Sequence, residues 1–182
     1  MDKTIFIDRD GVINKDLWRY VEHWDEFEFL PGVLETFKLL EDKGFNVVIV
    51  SNQAGIGDGK YTEEALRDIN ENMQRVIKEN GGKIHAMFYC LHGKEAGCDC
   101  RKPKTGLFEQ AEKELSPFNK ETSFFIGDKL SDVQAGKAFG LKTALVLTGY
   151  GEKAQGEIDH DTMPDIIAND LRHAVEMILN LI

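Results

Sequence analysis

The fold turns on Lys3-Thr-Ile-Phe-Ile7, a run that stops abruptly at Asp8-Arg9-Asp10-Gly11. Its β-branched and aromatic residues read as a buried strand, and Gly11 marks where the backbone turns off its end. Residues i and i+2 of a strand point the same way, so Asp8 and Asp10 are both predicted to face the space beyond its carboxyl end. Open α/β sheets bind their ligands at that edge. Two carboxylates held side by side repel each other unless something positive joins them, and a divalent cation is the obvious candidate. Asp-x-Asp-Gly is also ordinary turn chemistry, so the rest of the chain has to decide.

Strand-like and helical runs alternate downstream. Val33 to Leu40 is amphipathic and closed by Gly44; Val47-Val-Ile-Val50 is the next strand. Thr62 is the predicted N-cap of a longer helix, with Leu66, Ile69, Met73, Val76 and Ile77 as its apolar stripe and Gly81-Gly82 at its end. Residues 84–90 read as a strand and 105–115 as a helix. Ser123-Phe-Phe-Ile126 is a strand ending at Gly127-Asp128, 131–139 a short helix closed by Gly140, and Thr143 to Leu147 a further strand. Gly149 to Pro164 is expected to be a mobile polar loop, and Asp165 to Ala168 a short edge strand. The last helix begins near Asn169 or Asp170 and presents Leu171, Ala174, Val175, Ile178, Leu179 and Ile182 on one face. The alternation predicts a doubly wound, Rossmann-like α/β fold with a mainly parallel sheet.

The chain has 182 residues, enough for one domain, predicted to span 1–182. Its formal charge of −10 argues against a nucleic-acid or anionic-membrane surface, so any anion site must be locally positive. No apolar run approaches bilayer length and no basic-then-apolar leader is visible. A cytoplasmic protein is the expectation, and a monomer, since no apolar stripe is left without a core-facing place. All three cysteines lie between 90 and 100, too few and too close for a disulfide framework. Cys90-Leu-His92 and Cys98-Asp-Cys100 offer three thiolates and an imidazole, a closed tetrahedral Zn²⁺ shell that would staple the loop between Gly93 and Gly97.

Three strand ends thus offer polar groups on one sheet edge: Asp8-Arg9-Asp10-Gly11, Ser51-Asn52-Gln53 and Gly127-Asp-Lys-Leu-Ser-Asp132. With Lys102, this order resembles the haloacid dehalogenase (HAD) superfamily of phosphotransferases, whose four motifs correspond to Asp8/Asp10, Ser51, Lys102 and Asp128/Asp132. Any one motif is weak, since Ser51 alone would be a strand terminus and Lys102 alone a surface lysine; together and in order they are strong. The resemblance covers nearly the whole chain. It implies Asp8 as nucleophile, forming an aspartyl-phosphate, and Asp10 as general acid and base. Ser51 and Lys102 would hold the phosphoryl group. Mg²⁺ would be held by Asp8, Asp128 and the main-chain carbonyl of Asp10. Asp132 is expected either to serve the site, by orienting metal-bound water or holding Lys129, or to be a plain first-turn helix carboxylate.

The segment Cys90 to Pro103, with its Arg101-Lys102-Pro103, is similar to two phosphatase families of that superfamily. One removes the 7-phosphate of D-glycero-D-manno-heptose 1,7-bisphosphate; the other acts on histidinol phosphate. Asp8 to Asn14, Tyr20-Val21, Phe27-Glu-Phe29, Ser51 to Ile56, Gly59 to Thr62 and Gly127 to Asp132 favour the heptose family. The five residues between His92 and Cys98 lean the other way, and Asp16-Leu-Trp-Arg-Tyr20 carries one extra residue. The resemblance implies substrate contacts from Asn52, Arg101, Lys129, Asp16 and Tyr20, no large cap domain, and a phosphorylated sugar rather than a nucleic acid or membrane as partner. Trp18, Arg19, Tyr20 and Trp24 are candidate flap contacts, Trp24 equally a core residue. A binding protein that had lost turnover is the rival from another class, and the intact Asp8/Asp10 pair counts against it.

Overall fold

The computed structural model describes residues 3–181; Ile182, assigned above to the last helix face, lies outside them. Six strands form one parallel sheet in the order β3-β2-β1-β4-β5-β6. They are β1 (Thr4–Ile7), β2 (Asn46–Asn52), β3 (Ala86–Cys90), β4 (Phe124–Gly127), β5 (Lys142–Val146) and β6 (Ile166–Ala168). β1 is buried throughout. A strand covered on both faces needs a continuous apolar run rather than an alternating one, which Thr-Ile-Phe-Ile supplies.

Helices α1 (Val33–Asp42), α2 (Ala54–Gly57), α3 (Glu63–Glu79), α4 (Gly106–Glu114), α5 (Leu130–Phe139), α6 (Gly151–Gly156) and α7 (Leu171–Leu181) follow the strands. Alternation along β1 divides the core. Ile5 and Ile7 join Phe37, Met73 and Ile178 from α1, α3 and α7. Phe6 turns the other way, onto Phe108, Phe125 and Phe139 around α4 and α5. Thr62 caps α3 as its position predicts, accepting the Ala65 N–H at 3.1 Å. No helix among the described residues is long and apolar enough to cross a membrane.

One expectation fails. The stretch from Gly149 to Pro164 is not all loop: it contains α6, although its sequence, Gly-Glu-Lys-Ala-Gln-Gly, has low helix propensity. Tertiary burial overrides that, because Ala154 is packed against Val133 and Leu145. The remaining boundaries move by a residue or two, as ends that rest on single turns do.

The strand order reverses at β1. From β1 the chain steps outward to β2 and β3, then returns to β4 on the other side. The carboxyl ends of β1, β2 and β4 therefore border one crevice, the place where doubly wound sheets bind ligands.

Candidate active site

The crevice is an open cleft of about 680 Å³, with Asp8, Asp10, Ser51, Lys102 and Asp132 among its walls. Asp8 directly follows β1 and is buried. Lys102 comes from the segment after the last cysteine, yet only 4% of it is exposed. The surface reading of this lysine therefore fails. Its Nζ lies 3.1 Å from Asp8 Oδ1 and 2.7 Å from Asp132 Oδ1, and donates to Val50 O at 2.9 Å. Burial alone would lower its pKa, but Asp132 and Asp8 more than offset this and keep it an ammonium. Asn52, at the end of β2, holds the lysine's backbone: its Oδ1 accepts the Lys102 N–H at 3.1 Å and its Nδ2 donates to Lys102 O at 3.2 Å.

Asp128 and Asp132 frame the start of α5. The Asp132 carboxylate accepts the Lys129 N–H at 3.1 Å, satisfying a free donor at the start of the helix, while its other oxygen faces Lys102. It stands in the first turn of the helix as one of the two expectations had it; what it holds of Lys129 is the backbone, and its ion-pair partner is Lys102. The Lys129 ammonium instead lies 3.1 Å from Asp128 and 3.8 Å from Asp16.

Asp8, Asp128 and Asp132 bring carboxylate oxygens within 4.8 Å of one another. With Asp16, four carboxylates here are answered by two ammonium groups, Lys102 and Lys129. The excess of two negative charges equals the charge of one divalent cation, and all the donors are hard oxygens, as Mg²⁺ requires. The excess also registers on Asp128, whose pKa is pushed up to about 7 by burial, with Asp132 and Asp8 adding to it against the pull of Lys129. The donor set fits Mg²⁺. Two glycines leave Asp128 its room. A Cβ on Gly11 or on Gly149 would lie 2.2 Å from Asp128 Oδ2, and both residues have positive φ.

Asp10 points into a separate network that the sequence reading missed. Arg9, wholly buried, grips it through Nε and Nη2, with Nη2 2.9 Å from Oδ1 and 3.0 Å from Oδ2. Asn14 donates to Asp10 Oδ1 at 3.0 Å, and Gln53 Nε2 donates to Oδ2 at 2.9 Å and to Ser51 Oγ at 3.2 Å. Tyr61 in turn donates to Gln53 Oε1. Burial would raise the Asp10 pKa, but Arg9 and the Asn14 and Gln53 amides outweigh it and hold the carboxyl below its usual range. A signal for Gln53 was available: it lies two residues past Ser51, on the same side of the strand end. None was available for Arg9, since an arginine beside an aspartate is ordinarily a surface pair.

The cleft's outer wall comes from the segment between β1 and α1. Asp16 accepts the Trp18 N–H at 2.6 Å, and Tyr20 donates its hydroxyl to Asp58 at 3.1 Å. Trp24 belongs to the core side, stacked on Phe27 at 5.0 Å. Lys60, Lys94, Arg101 and Lys129 line the cleft with the buried Lys102, the local positive charge an acidic chain needs to receive an anion.

The cysteine-histidine loop closes on itself beside the site. Sγ of Cys98 lies 3.6 Å from Cys90 and 3.5 Å from Cys100, and His92 Nδ1 lies 3.2 Å from Cys100 and 3.8 Å from Cys90. Zinc-bound thiolates about 2.3 Å from a tetrahedral centre sit roughly 3.8 Å apart. The cluster fits that shell, with no fifth donor directed at it among the described residues.

A doubly wound parallel sheet with two aspartates just past β1, a lysine clasped between Asp8 and Asp132, and Asp128 after β4 is an arrangement suited to phosphoryl transfer. Comparison with known proteins agrees. A family model described as HAD-hydrolase-like matches residues 99–174. The chain is 39% identical over 177 residues to a D-glycero-beta-D-manno-heptose-1,7-bisphosphate 7-phosphatase of Haemophilus ducreyi, covering 93% of this chain and 94% of that one. A D-glycero-D-manno-heptose-1,7-bisphosphate 7-phosphatase of Chlorobaculum tepidum is 37% identical, covering 95% and 92%. Among solved structures, the D,D-heptose 1,7-bisphosphate phosphatase of B. bronchiseptica complexed with magnesium and phosphate superposes with a TM-score of 0.92 at 32% identity, over 99% of both chains. The chain belongs to the HAD-like phosphatases. Its activity is the hydrolysis of a phosphoric monoester.

Proposed function

We propose that the chain is a Mg²⁺-dependent phosphatase that removes the 7-phosphate of D-glycero-D-manno-heptose 1,7-bisphosphate through an aspartyl-phosphate on Asp8. The observation that carries this is the Asp8–Lys102–Asp132 cluster at the base of an open cleft with a basic rim. Such a site suits a small substrate with phosphates at both ends, and the relatives named above act on that sugar. An acidic chain with cationic side chains around one cleft also fits a soluble anion, met in the cytoplasm, better than a polyanionic surface.

On this reading an Asp8 carboxylate oxygen attacks phosphorus in line, and the bond to the C7 oxygen breaks. Asp10 gives that oxygen its proton. Water then attacks the acyl phosphate, Asp10 takes the water's proton, and inorganic phosphate leaves with Asp8 restored. Lys102, held close to Asp8, balances charge on the phosphoryl oxygens, and the Ser51 hydroxyl offers them a donor. Asp8, Asp128 and the Asp10 carbonyl would hold Mg²⁺, which would neutralise the same oxygens when bound. Cys90, His92, Cys98 and Cys100 would hold a structural Zn²⁺ that fixes the segment carrying Arg101 and Lys102. Arg101, Lys129, Asp16 and Tyr20 border the rest of the substrate, while Asn52 acts through the Lys102 backbone.

The test is phosphate release with Mg²⁺ from each anomer of heptose 1,7-bisphosphate and from histidinol phosphate, for the wild type and Asp8→Asn. The expected result is preference for a heptose anomer, abolished by Asp8→Asn with the fold intact. Preference for histidinol phosphate overturns the substrate. Near wild-type turnover by Asp8→Asn overturns the covalent route.

A further inference from the structure

Trp18 is the one non-glycine residue with positive φ among those described, at 61°. It is also 68% exposed and lines the cleft. A bulky residue keeps a left-handed backbone only where its surroundings impose it, and such outliers gather at ligand clamps. The surroundings here are specific. The Asp16 carboxylate takes the Trp18 N–H at 2.6 Å, and Arg19, next in the chain, is tied to Glu26 at 2.8 Å. The indole meets the Tyr150 ring edge-on, with centroids 4.7 Å apart. Tyr150 is itself fixed to the site: its N–H donates to Asp128 at 2.9 Å, and the Lys129 ammonium lies 4.7 Å from its ring centre.

The result is a rigid aromatic surface at the lip of a cleft whose other walls are mostly charged. It carries no charge for a phosphate and no carboxylate for an amine. What an indole offers is a flat, electron-rich face, and polarised C–H bonds pack against such a face. We propose that Trp18 is a specificity-determining residue, a platform for the C–H face of the sugar ring while the phosphate reaches Asp8. The inference rests on the phosphorylated-sugar reading of this site and goes beyond it, since it assigns the non-reacting part of the substrate to a residue that the chain holds under strain.

Two measurements test it. The chain has two tryptophans, so Trp24→Phe leaves Trp18 as the sole tryptophan, excited apart from the tyrosines at the red edge of the absorption band. In the Trp24→Phe, Asp8→Asn protein with Mg²⁺, heptose bisphosphate should shift Trp18 emission to the blue and inorganic phosphate should not. In Trp18→Ala the ratio of kcat/KM for heptose bisphosphate to that for glycerol 2-phosphate should fall about tenfold, mainly through KM, the size of one good aromatic contact. Trp18→Phe should recover most of it. If the wild type proves to cleave another phosphorylated sugar, both measurements are made on that sugar, so that losing the heptose assignment leaves this test intact. A ratio that falls less than twofold, an emission unmoved by the sugar, or a response to histidinol phosphate equal to that for any sugar overturns the proposal.

Discussion

Replacing Lys102 by Met keeps most of the buried stem and removes the ammonium, with its charge and its N–H donors. The ammonium has 2% of its side chain exposed, and its partners Asp8 and Asp132 have 6% and 2%. Breaking a buried ion pair by deleting one partner costs about 3–5 kcal/mol, because the other charge is left unpaired. Here one cation answers two carboxylates and also donates to Val50 O, whose loss adds roughly 1 kcal/mol. The expected deficit is about 4–6 kcal/mol near pH 7.5, a large share of a typical folding free energy. The sign with pH follows from linkage. Burial already raises the Asp132 pKa, with Lys102 the main counterweight. Without the lysine it rises further, and the native variant binds a proton that its unfolded chain does not. The deficit is therefore fully present above the raised native pKa and shrinks as pH falls towards the unfolded value of about 4. Urea unfolding of both proteins near pH 7.5 and near pH 5.5, without added Mg²⁺, reads this directly. A variant too unstable to fold at the higher pH but folded at the lower one would give the same answer. A deficit under about 1 kcal/mol, or one equal at both pH values, would refute the clasp as an energetic unit.

Gly11→Ala would set a Cβ 2.2 Å from Asp128 Oδ2 on a backbone with φ of 85°. Turnover with Mg²⁺ is expected to drop at least about a hundredfold with stability lower by about 1–3 kcal/mol, and activity within twofold of wild type would contradict that packing. Cys98→Ser should lower bound zinc, measured by elemental analysis, and speed amide exchange across residues 91–100; unchanged zinc would remove Cys98 from the ligand set. In the Mg²⁺-free wild type, the native state holds the Asp128 proton up to about pH 7 whereas an unfolded aspartate has lost it. Stability should then decline as pH rises from about 4 to about 7, less steeply in Asp128→Asn, and a rise carried by Asp128 over that window would reverse the assigned sign.

The sheet was legible because its central strands carry buried β-rich cores, Thr4–Ile7, Val47–Val50 and Phe124–Ile126, that end at polar or turn residues, and burial on both faces leaves no polar interruption within those cores. The helix at Gly151–Gly156 was not, because its stability comes from Ala154 meeting Val133 and Leu145, residues distant in sequence. The same divide runs through the site. Asp8, Asp128 and the cysteines announce themselves by position on a strand end or by spacing. Lys102 could be placed only by resemblance: nothing local says that a lysine after a loop of cysteines is buried. The rim cations Lys60 and Lys94 come from loops whose convergence depends on how α2 and the cysteine loop sit together.

Arg9 is the residue whose absence from the sequence reading changes the chemistry. Arg9, Asn14 and Gln53 together hold Asp10 ionised in the resting protein. An ionised carboxylate is ready to take a proton from water, the second half of the proposed reaction, but has none to give in the first. A phosphorylated substrate changes that balance, because bringing its negative charge beside Asp10 favours the protonated carboxyl. The proton can arrive with the substrate, whose phosphate monoanion carries one. On this reading the Arg9 network sets the resting state as a base, and substrate binding converts it to an acid. Phosphate release by the wild type should then fall at higher pH, as the substrate's own second ionisation removes that proton. A rate independent of pH through the phosphate's second pKa, about 6 for a phosphate monoester, would mean that Asp10 acquires its proton from elsewhere.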